Sequence, residues 1–184
     1  AYFESNSVDI LVNNTQGPAS GNTLEKQVDD YQVAFDLLFK TVVFTTELAL
    51  RHMMQNRWGR IINVASVSVK EPLSYLALSN SIRASLVTWA KSLATDVGDK
   101  QITVNNILTG YFDTERIAQL NAKKAEQLGV SEDEVLADMQ SKVPVKRIGD
   151  PEEYGYLVTF LASDKAAYIT GTQIPIDGGL LKSL

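Results

Sequence analysis

The sequence of 184 residues contains no cysteine and only one histidine. The lack of cysteine excludes a disulfide framework, a thiolate metal site and a thiol nucleophile. The single histidine, His52, lies near the end of a predicted helix, where we expect it to make a helix-end hydrogen bond. We therefore expect no metal site, and a reducing cytoplasm is the expected location.

The sequence also lacks an excess of basic residues and any long hydrophobic run. Its 17 lysines and arginines against 22 aspartates and glutamates give a net charge of −5, which argues against nucleic acid as a main partner. No uninterrupted apolar run reaches the ~18 residues of a membrane helix, so no membrane partner is expected. A hydrophobic content of 45% is ordinary for a globular protein, and residues 1–184 are enough for one domain with a substantial core.

Short apolar runs alternate along the chain with longer stretches at helical spacing. Residues 8–14, 61–65 and 102–108 have the character of strands, and residues 173–179 that of a last strand and turn. Predicted helices cover Lys26–Arg57, with Gly59 marking its end, then Leu76–Val97 and residues 150–162. The alternation predicts parallel strands joined by right-handed crossovers, and so a layered α/β domain.

Residues 109–145 interrupt this alternation with a polar, charged segment. Ser131 and Glu134 form the pattern of a capping box that opens a short helix. Ligands in open α/β sheets bind beyond the carboxyl ends of the strands, and this segment follows such an end. We predict that it is a substrate lid; the alternative is a solvated surface excursion.

The stretch from Arg60 to Ala94 carries the clearest motif. A buried strand ends in Ser66, and Ser79 and Arg83 follow 13 and 17 residues after it on a predicted helix. This spacing resembles the catalytic core of the short-chain dehydrogenase/reductase family, in which the two later positions are tyrosine and lysine. A shifted register would place Leu76 and Asn80 there, but the spacing to the downstream Lys91-Ser92-Leu93-Ala94 turn favours Ser79 and Arg83.

The replacements change what the site can do. Reduction of a carbonyl requires a proton for the developing alkoxide, and a tyrosine donates it when a neighbouring cation lowers its pKa. The resemblance gives Ser66 the role of holding the carbonyl oxygen. Ser79 is too weak an acid to replace the tyrosine, and Arg83 keeps a charge that would hold a ribose hydroxyl, a phosphate or a substrate carboxylate; a structural ion pair is its alternative role. Leu38 occupies the slot of the family's relay asparagine.

Two nearby residues are candidates to compensate. Tyr75 lies four residues before Ser79, so the two share a helical face if the helix begins early enough. Tyr75 is therefore a candidate proton donor, and the alternative is a loop aromatic that covers the mouth of the pocket. Lys70 lies in the loop after Ser66, where a solvated charge is expected.

Other segments extend the resemblance in order along the chain, at residues 9–14, 105–114, 147–153 and 174–179. They are most similar to a 3-oxoacyl-carrier-protein-reductase-like branch of the family. The resemblance implies a Rossmann-like, doubly wound parallel sheet and NAD or NADP as cofactor. It implies cofactor contacts from Asn13, Asn14, Thr15, Arg83, Gly110, Phe112 and Thr114, with Gln16 in place of a usual glycine.

The Gly-rich turn that opens family members is missing before residue 8, so we expect these residues to be the C-terminal two-thirds of such a domain. The expected function is hydride transfer between a nicotinamide cofactor and a small carbonyl or alcohol substrate. A non-catalytic ligand-binding or assembly protein is the alternative, and lyase or isomerase chemistry a third. The resemblance also implies a homodimer or homotetramer, formed through the two long helices with apolar residues such as Ile82, Leu86, Trp89 and Leu93.

Overall fold

The computed structural model describes residue 3 and residues 6–183, which form a parallel four-stranded sheet with helices on both faces. The strands lie in chain order across the sheet. Their bounds are β1 Ile10–Asn13, β2 Gly59–Val64, β3 Ile102–Thr109 and β4 Gln173–Ile176. Every neighbouring pair is parallel, as the alternation of the sequence predicted.

The helices connect these strands as crossovers. Their bounds are α1 Val28–Phe35, α2 Thr41–Asn56, α3 Ala77–Val97, α4 Glu115–Leu128, α5 Glu132–Lys142 and α6 Pro151–Ala162. A π-helical turn joins α1 to α2. The predicted capping box of Ser131 is confirmed at the start of α5, and Asp150 caps α6 in the same way. Local capping signals in the sequence therefore locate these two helix starts.

The end of α2 differs from the prediction. The helix ends at Asn56, and Arg57 takes the left-handed conformation with φ of 53° while its N–H bonds to the Met53 carbonyl. Gly59 opens β2 instead of ending the helix. A Cβ at Gly59 would approach Met53 Sδ to 2.5 Å, so close packing of the helix on the strand requires glycine there.

Consecutive residues of β2 face opposite sides of the sheet and pack against different helices. Ile61 lies in a cluster with residues of α2 and α3, including Met53 and Ala90. Ile62 lies in a second cluster with Leu161 of α6. The sheet is therefore doubly wound, and the predicted Rossmann-like α/β fold is confirmed.

A row of buried asparagines crosses the sheet beneath the carboxyl ends of the strands. Asn13 donates to Asn63 Oδ1 at 2.9 Å, and Asn63 donates to Asn106 Oδ1 at 3.0 Å. Asn13 also donates to Thr46 Oγ1 at 3.1 Å. Because buried amides must find partners, this row fixes the alignment of three strands and of α2.

The opposite end of the sheet is closed around Arg60, which is 2% exposed. Its guanidinium donates to the Gly59 carbonyl at 2.9 Å and to the Gln101 carbonyl at 3.2 Å. It lies 4.4 Å from the Trp58 ring centroid and 3.5 Å from Asp164. Burial lowers the pKa of Arg60 and the Asp164 carboxylate raises it. Arg60 thus joins β2, the start of β3 and the turn after α6.

No helix in the described residues is long and apolar enough to cross a membrane.

Candidate active site

A cavity of about 600 Å³ opens at the carboxyl ends of the strands. Loops after β1, β2 and β3 form its floor, and the starts of α4 and α6 close its sides. This volume is typical of small-ligand sites. Of the residues predicted from the sequence, its lining includes Asn14, Thr15, Ser66, Tyr75, Ser79, Arg83, Gly110, Phe112 and Thr114.

Asn13 lies beneath the cavity, in the asparagine row. Its side chain is engaged with Asn63, Thr46 and Thr45, whose hydroxyl donates to Asn13 Oδ1 at 2.9 Å. Asn13 therefore stabilises the end of β1, and the next two residues, Asn14 and Thr15, line the cavity.

Ser66 follows the end of β2 and begins a short 3-10 turn. The backbone is extended at this residue, and its hydroxyl oxygen accepts from Ser68 N at 3.1 Å. This bond uses one lone pair of the oxygen. The hydroxyl hydrogen is still free to donate to a ligand, because a serine hydroxyl carries one donor and two acceptor sites. The predicted role of Ser66 as an oxyanion-type donor is compatible with this geometry and stays a prediction.

Ser79 and Arg83 lie one turn apart on α3, both buried and both in the cavity wall. Asn80, in the alternative register, instead donates to the Leu73 carbonyl at 2.8 Å. This arrangement supports the register in which Ser79 and Arg83 occupy the slots of the family's tyrosine and lysine.

Arg83 is the buried cation of the site, with 7% of its surface exposed. Its Nη1 donates to the Val64 carbonyl at 2.5 Å, at the end of β2. Burial lowers the pKa of this guanidinium, and the nearby Tyr154 raises it. Because a guanidinium has five N–H donors, donors remain for a ligand in the cavity.

Tyr75 lies just before α3, which begins at Ala77, so the condition for a shared helical face with Ser79 is not met. Its backbone carbonyl accepts from Gly21 N at 2.7 Å, and its side chain still reaches the cavity. Burial and the neighbouring Tyr111 both raise the pKa of Tyr75. A raised pKa keeps the phenol protonated but makes it a weaker acid.

The segment after β3 forms the third side of the floor. Gly110 packs on the chain after β4, where a Cβ would approach the Asp177 Cα to 2.6 Å. Phe112 is buried, and Thr114 caps α4 with its side chain accepting from Ile117 N at 3.4 Å. These three residues therefore hold the loop against the sheet as well as lining the cavity.

Leu38, in the slot of the relay asparagine, is fully buried. It packs in a cluster with Ala34, Leu78 and Ile82. It lies within the π-helical turn between α1 and α2. The position is therefore apolar core and offers no side-chain group to hold a water.

Tyr154 is a cavity residue that sequence reasoning missed. It lies on α6, 71 residues after Arg83, outside the spacing pattern of the motif. Its hydroxyl lies 3.1 Å from Thr109 Oγ1, and its ring packs edge-on against Phe112 with 5.3 Å between ring centroids. The only local signal was a tyrosine one turn after the Asp150 cap, which is also compatible with a core position.

The predicted lid segment forms the outer wall of the cavity. Arg116 of α4 donates to the Pro18 carbonyl at 2.9 Å, and Lys123 Nζ lies 3.3 Å from Ser20 Oγ. An ion pair between Lys124 Nζ and Asp138 Oδ2, at 3.1 Å, connects α4 to α5. The segment thus reaches across the cavity to the loop after β1.

Two further predictions concern His52 and Lys70. His52 Nε2 lies 3.0 Å from Asp9 Oδ1 and 2.7 Å from Asn56 Nδ2, near the end of α2. Lys70 is exposed in its loop. Among residues 3 and 6–183, no group of three or more histidine or acidic side chains is arranged to hold a metal ion.

Residues 3–181 match the family model described as Enoyl-(Acyl carrier protein) reductase. The NADPH-dependent reductase BacG of Bacillus subtilis is 32% identical over 177 residues, which cover 96% of this chain and 68% of that protein. The 3-oxoacyl-[acyl-carrier-protein] reductase FabG of Rickettsia conorii is 31% identical, over 97% of this chain and 69% of that protein. The protein belongs to the short-chain dehydrogenase/reductase family.

Solved structures agree with this membership. YwfH, described as an NADPH dependent reductase involved in bacilysin biosynthesis, superposes with a TM-score of 0.92 at 30% identity, over 98% of this chain and 70% of that one. L-sorbose reductase of Gluconobacter frateurii, with NADPH and L-sorbose, has a TM-score of 0.90 at 30% identity, over 97% and 68%. The expected oxidoreductase class and nicotinamide cofactor, NAD or NADP, are thereby confirmed at the level of the family.

Proposed function

We propose that the protein is a carbonyl reductase or alcohol dehydrogenase that uses Ser66 and Arg83 at the positions where family members use serine and lysine. The observation that carries this proposal is the single cavity that brings Ser66, Ser79 and Arg83 together with the strand ends after β1 and β3. NADPH is the first cofactor to test, because BacG and YwfH are described as NADPH-dependent.

The residues of the cavity fit the nicotinamide half of such a cofactor. Asn14 and Thr15 lie at one strand end and Gly110 at another, on either side of Ser66. Arg83 offers a buried cationic donor for a ribose hydroxyl, which is the chemistry of the lysine it replaces. A bound reduced nicotinamide would supply the hydride that the carbonyl carbon receives.

The residues of this chain would then act on the carbonyl oxygen. The Ser66 hydroxyl donates a hydrogen bond to that oxygen, which becomes negative as the carbon is reduced. The charge of Arg83 stabilises the same negative charge, and burial strengthens its effect by excluding water. The wall formed by α4 lines the cavity, which supports the proposal that residues 109–145 act as a substrate lid.

The experiment is a cofactor titration followed by a turnover assay on the full-length protein. NADPH and NADH are titrated by fluorescence, and oxidation is then followed by absorbance with a panel of ketones, 3-oxoacyl thioesters and sugar ketoses. We expect binding and turnover with at least one class. In the same assay Ser66→Ala should lower kcat by roughly 100-fold, since one oxyanion donor is lost. Binding without turnover across the panel would contradict the proposal.

A non-catalytic ligand-binding protein is the second candidate. It is favoured by Ser79, a buried aliphatic hydroxyl where the family has its acid, and by Leu38, an apolar core residue where the family has its asparagine. The double variant Ser79→Tyr/Arg83→Lys discriminates between the two, because it restores both groups. Turnover in that variant and not in the wild-type protein would favour the second candidate.

A homodimer is proposed for the assembly, through the outer face of α3. The exposed hydroxyls of Ser85, Thr88 and Ser92 bond to carbonyls of their own helix, which leaves a smooth face for close packing. Phe39 and Trp89 line a groove beside them. The expected measurement is a molar mass of two chains by light scattering.

Two of the apolar residues predicted to form the contact between subunits do not lie at the surface of α3. Ile82 and Leu86 are buried within the chain and are not available to a partner. Trp89 and Leu93 are partly buried against the core of their own chain. The expected tetramer and the cytoplasmic location stay predictions.

A further inference from the structure

We propose that Tyr154 donates the proton in carbonyl reduction, with Arg83 as the cation that stabilises its phenolate. This inference rests on the proposed reductase function. It replaces the missing tyrosine–lysine pair of α3 by a tyrosine of α6 and an arginine of α3.

Tyr154 lines the same cavity as Ser66 and Thr109. Val64 of β2 pairs with Ile107 of β3, and the pairing continues through the bond from Ala65 N to the Ile107 carbonyl at 2.9 Å. Ser66 and Thr109 are each two residues beyond these partners, and both line the cavity. The Tyr154 hydroxyl lies 3.1 Å from Thr109 Oγ1. We place the carbonyl oxygen between the Ser66 hydroxyl and the Tyr154 phenol, which line one cavity.

The ring of Tyr154 is held in a defined orientation. Phe112 packs edge-on against it, with 5.3 Å between centroids at an interplanar angle of 85°. Gly149 makes room for Phe112, since a Cβ there would approach the ring to 2.6 Å. A positioned acid of this kind is what general acid catalysis requires.

The charge of Arg83 distinguishes Tyr154 from Tyr75. Burial raises the pKa of Tyr154 above the ordinary tyrosine value, and the Thr109 hydrogen bond and the Arg83 charge oppose part of that rise. For Tyr75, burial and the neighbouring Tyr111 both raise the pKa, and no cause lowers it. Arg83 and Tyr154 line the same cavity, so of these two phenols Tyr154 is the one whose phenolate the Arg83 charge would stabilise.

A bound reduced nicotinamide would supply the hydride to the carbonyl carbon, and the electron pair of the C=O π bond would move to oxygen. The O–H bond of Tyr154 breaks as the new O–H bond of the alcohol forms. The resulting phenolate, stabilised by Arg83, takes a proton from solvent through the Thr109 hydroxyl, so the enzyme returns to its starting state.

The test compares Tyr154→Phe with Tyr156→Phe, a matched change on an exposed face of the same helix. We expect Tyr154→Phe to lower kcat by roughly 100- to 10,000-fold while the cofactor Kd and the unfolding midpoint stay close to wild type. The fall of kcat at high pH, where the acid loses its proton, should disappear in this variant. Tyr156→Phe should leave both unchanged.

Two further variants separate proton donation from a structural role. Adding Ser79→Tyr to Tyr154→Phe should recover activity, because it supplies a second phenol beside Arg83. Arg83→Gln should raise the pKa of Tyr154 in a phenolate absorbance titration, a readout independent of turnover.

Three results would overturn the inference. The first is a Tyr154→Phe variant that keeps kcat and its fall at high pH. The second is a larger loss from Tyr75→Phe than from Tyr154→Phe. The third is an unchanged phenol titration in Arg83→Gln. Failure of the proposed function itself would be recognised separately, as wild-type protein that binds NADPH without turnover or fails to bind it.

Discussion

The floor and the outer wall of the cavity are built in different ways. Beneath the floor, every residue of strand β3 except the last is buried. Buried polar side chains there pair with one another in the asparagine row. In the wall, α4 buries only Asn121 and Ala125 and is held mainly by contacts of charged side chains at the surface. The floor can therefore fix the position of Ser66, whereas the wall is suited to move and to determine which substrate enters.

The largest expected effect is a difference in stability between these two regions. Ile107→Ala removes a fully buried side chain from strand β3, beneath the floor, and should lower the free energy of unfolding by about 2–5 kcal/mol. Ile117→Ala makes the same deletion in the partly exposed wall and should cost less than about 1.5 kcal/mol, because water already reaches the site. Urea denaturation measures both. Equal losses would show that the wall is as tightly packed as the floor.

A smaller effect is expected from loosening the wall at Arg116. Arg116→Ala removes the bond to the Pro18 carbonyl and should raise KM about 10-fold, with little change in the unfolding midpoint. Hydrogen exchange should become faster in residues 15–20. Arg51→Ala, on an exposed face of α2, is the control. A fall in kcat with unchanged KM and exchange would place Arg116 in the chemical step instead.

The smallest expected effect is a pH dependence at the base of α6. Arg147 binds both carboxylate oxygens of Glu153, at 2.6 and 2.7 Å, and lowers the pKa of Glu153 to about 2. Folding therefore favours the ionised form, so this contribution to stability is present above the ordinary glutamate value near 4.3 and is lost as pH falls toward 2.

Glu153→Gln should accordingly flatten the dependence of Tm on pH in this window. Glu126→Gln, an exposed change on α4, should leave it as in wild type. The difference is expected to be small, because the pair is exposed to solvent. A parallel shift of the whole curve, with the same slope, would assign the effect to the helix cap and not to the ionisation.

The sequence predicted the floor better than the wall. β2 and β3 are short runs rich in β-branched apolar residues, the pattern typical of a strand buried on both faces. The starts of α5 and α6 depend on side chains within three residues of each other, so Ser131 and Asp150 were sufficient to predict them. These features are local or set by burial, and both are visible in a single sequence.

The rest of the site depends on contacts between distant parts of the chain. Tyr154 and Arg83 line the same cavity although α6 and α3 lie on opposite faces of the sheet, and neither residue type requires the other. The start of α3 was placed one residue early, at Leu76, although its exact position decides whether Tyr75 shares a face with Ser79. Periodicity predicts that a helix exists better than it predicts the residue at which the helix begins or ends.

Arg60 has a consequence for how this protein can change its chemistry. The buried guanidinium ties strands and helices together at the end of the sheet remote from the cavity. Residues 79 and 83 carry no part of that linkage, so a mutation in either leaves the main polar anchor of the fold intact. A lineage can then exchange its proton donor one residue at a time, passing through intermediates that are catalytically poor but still folded.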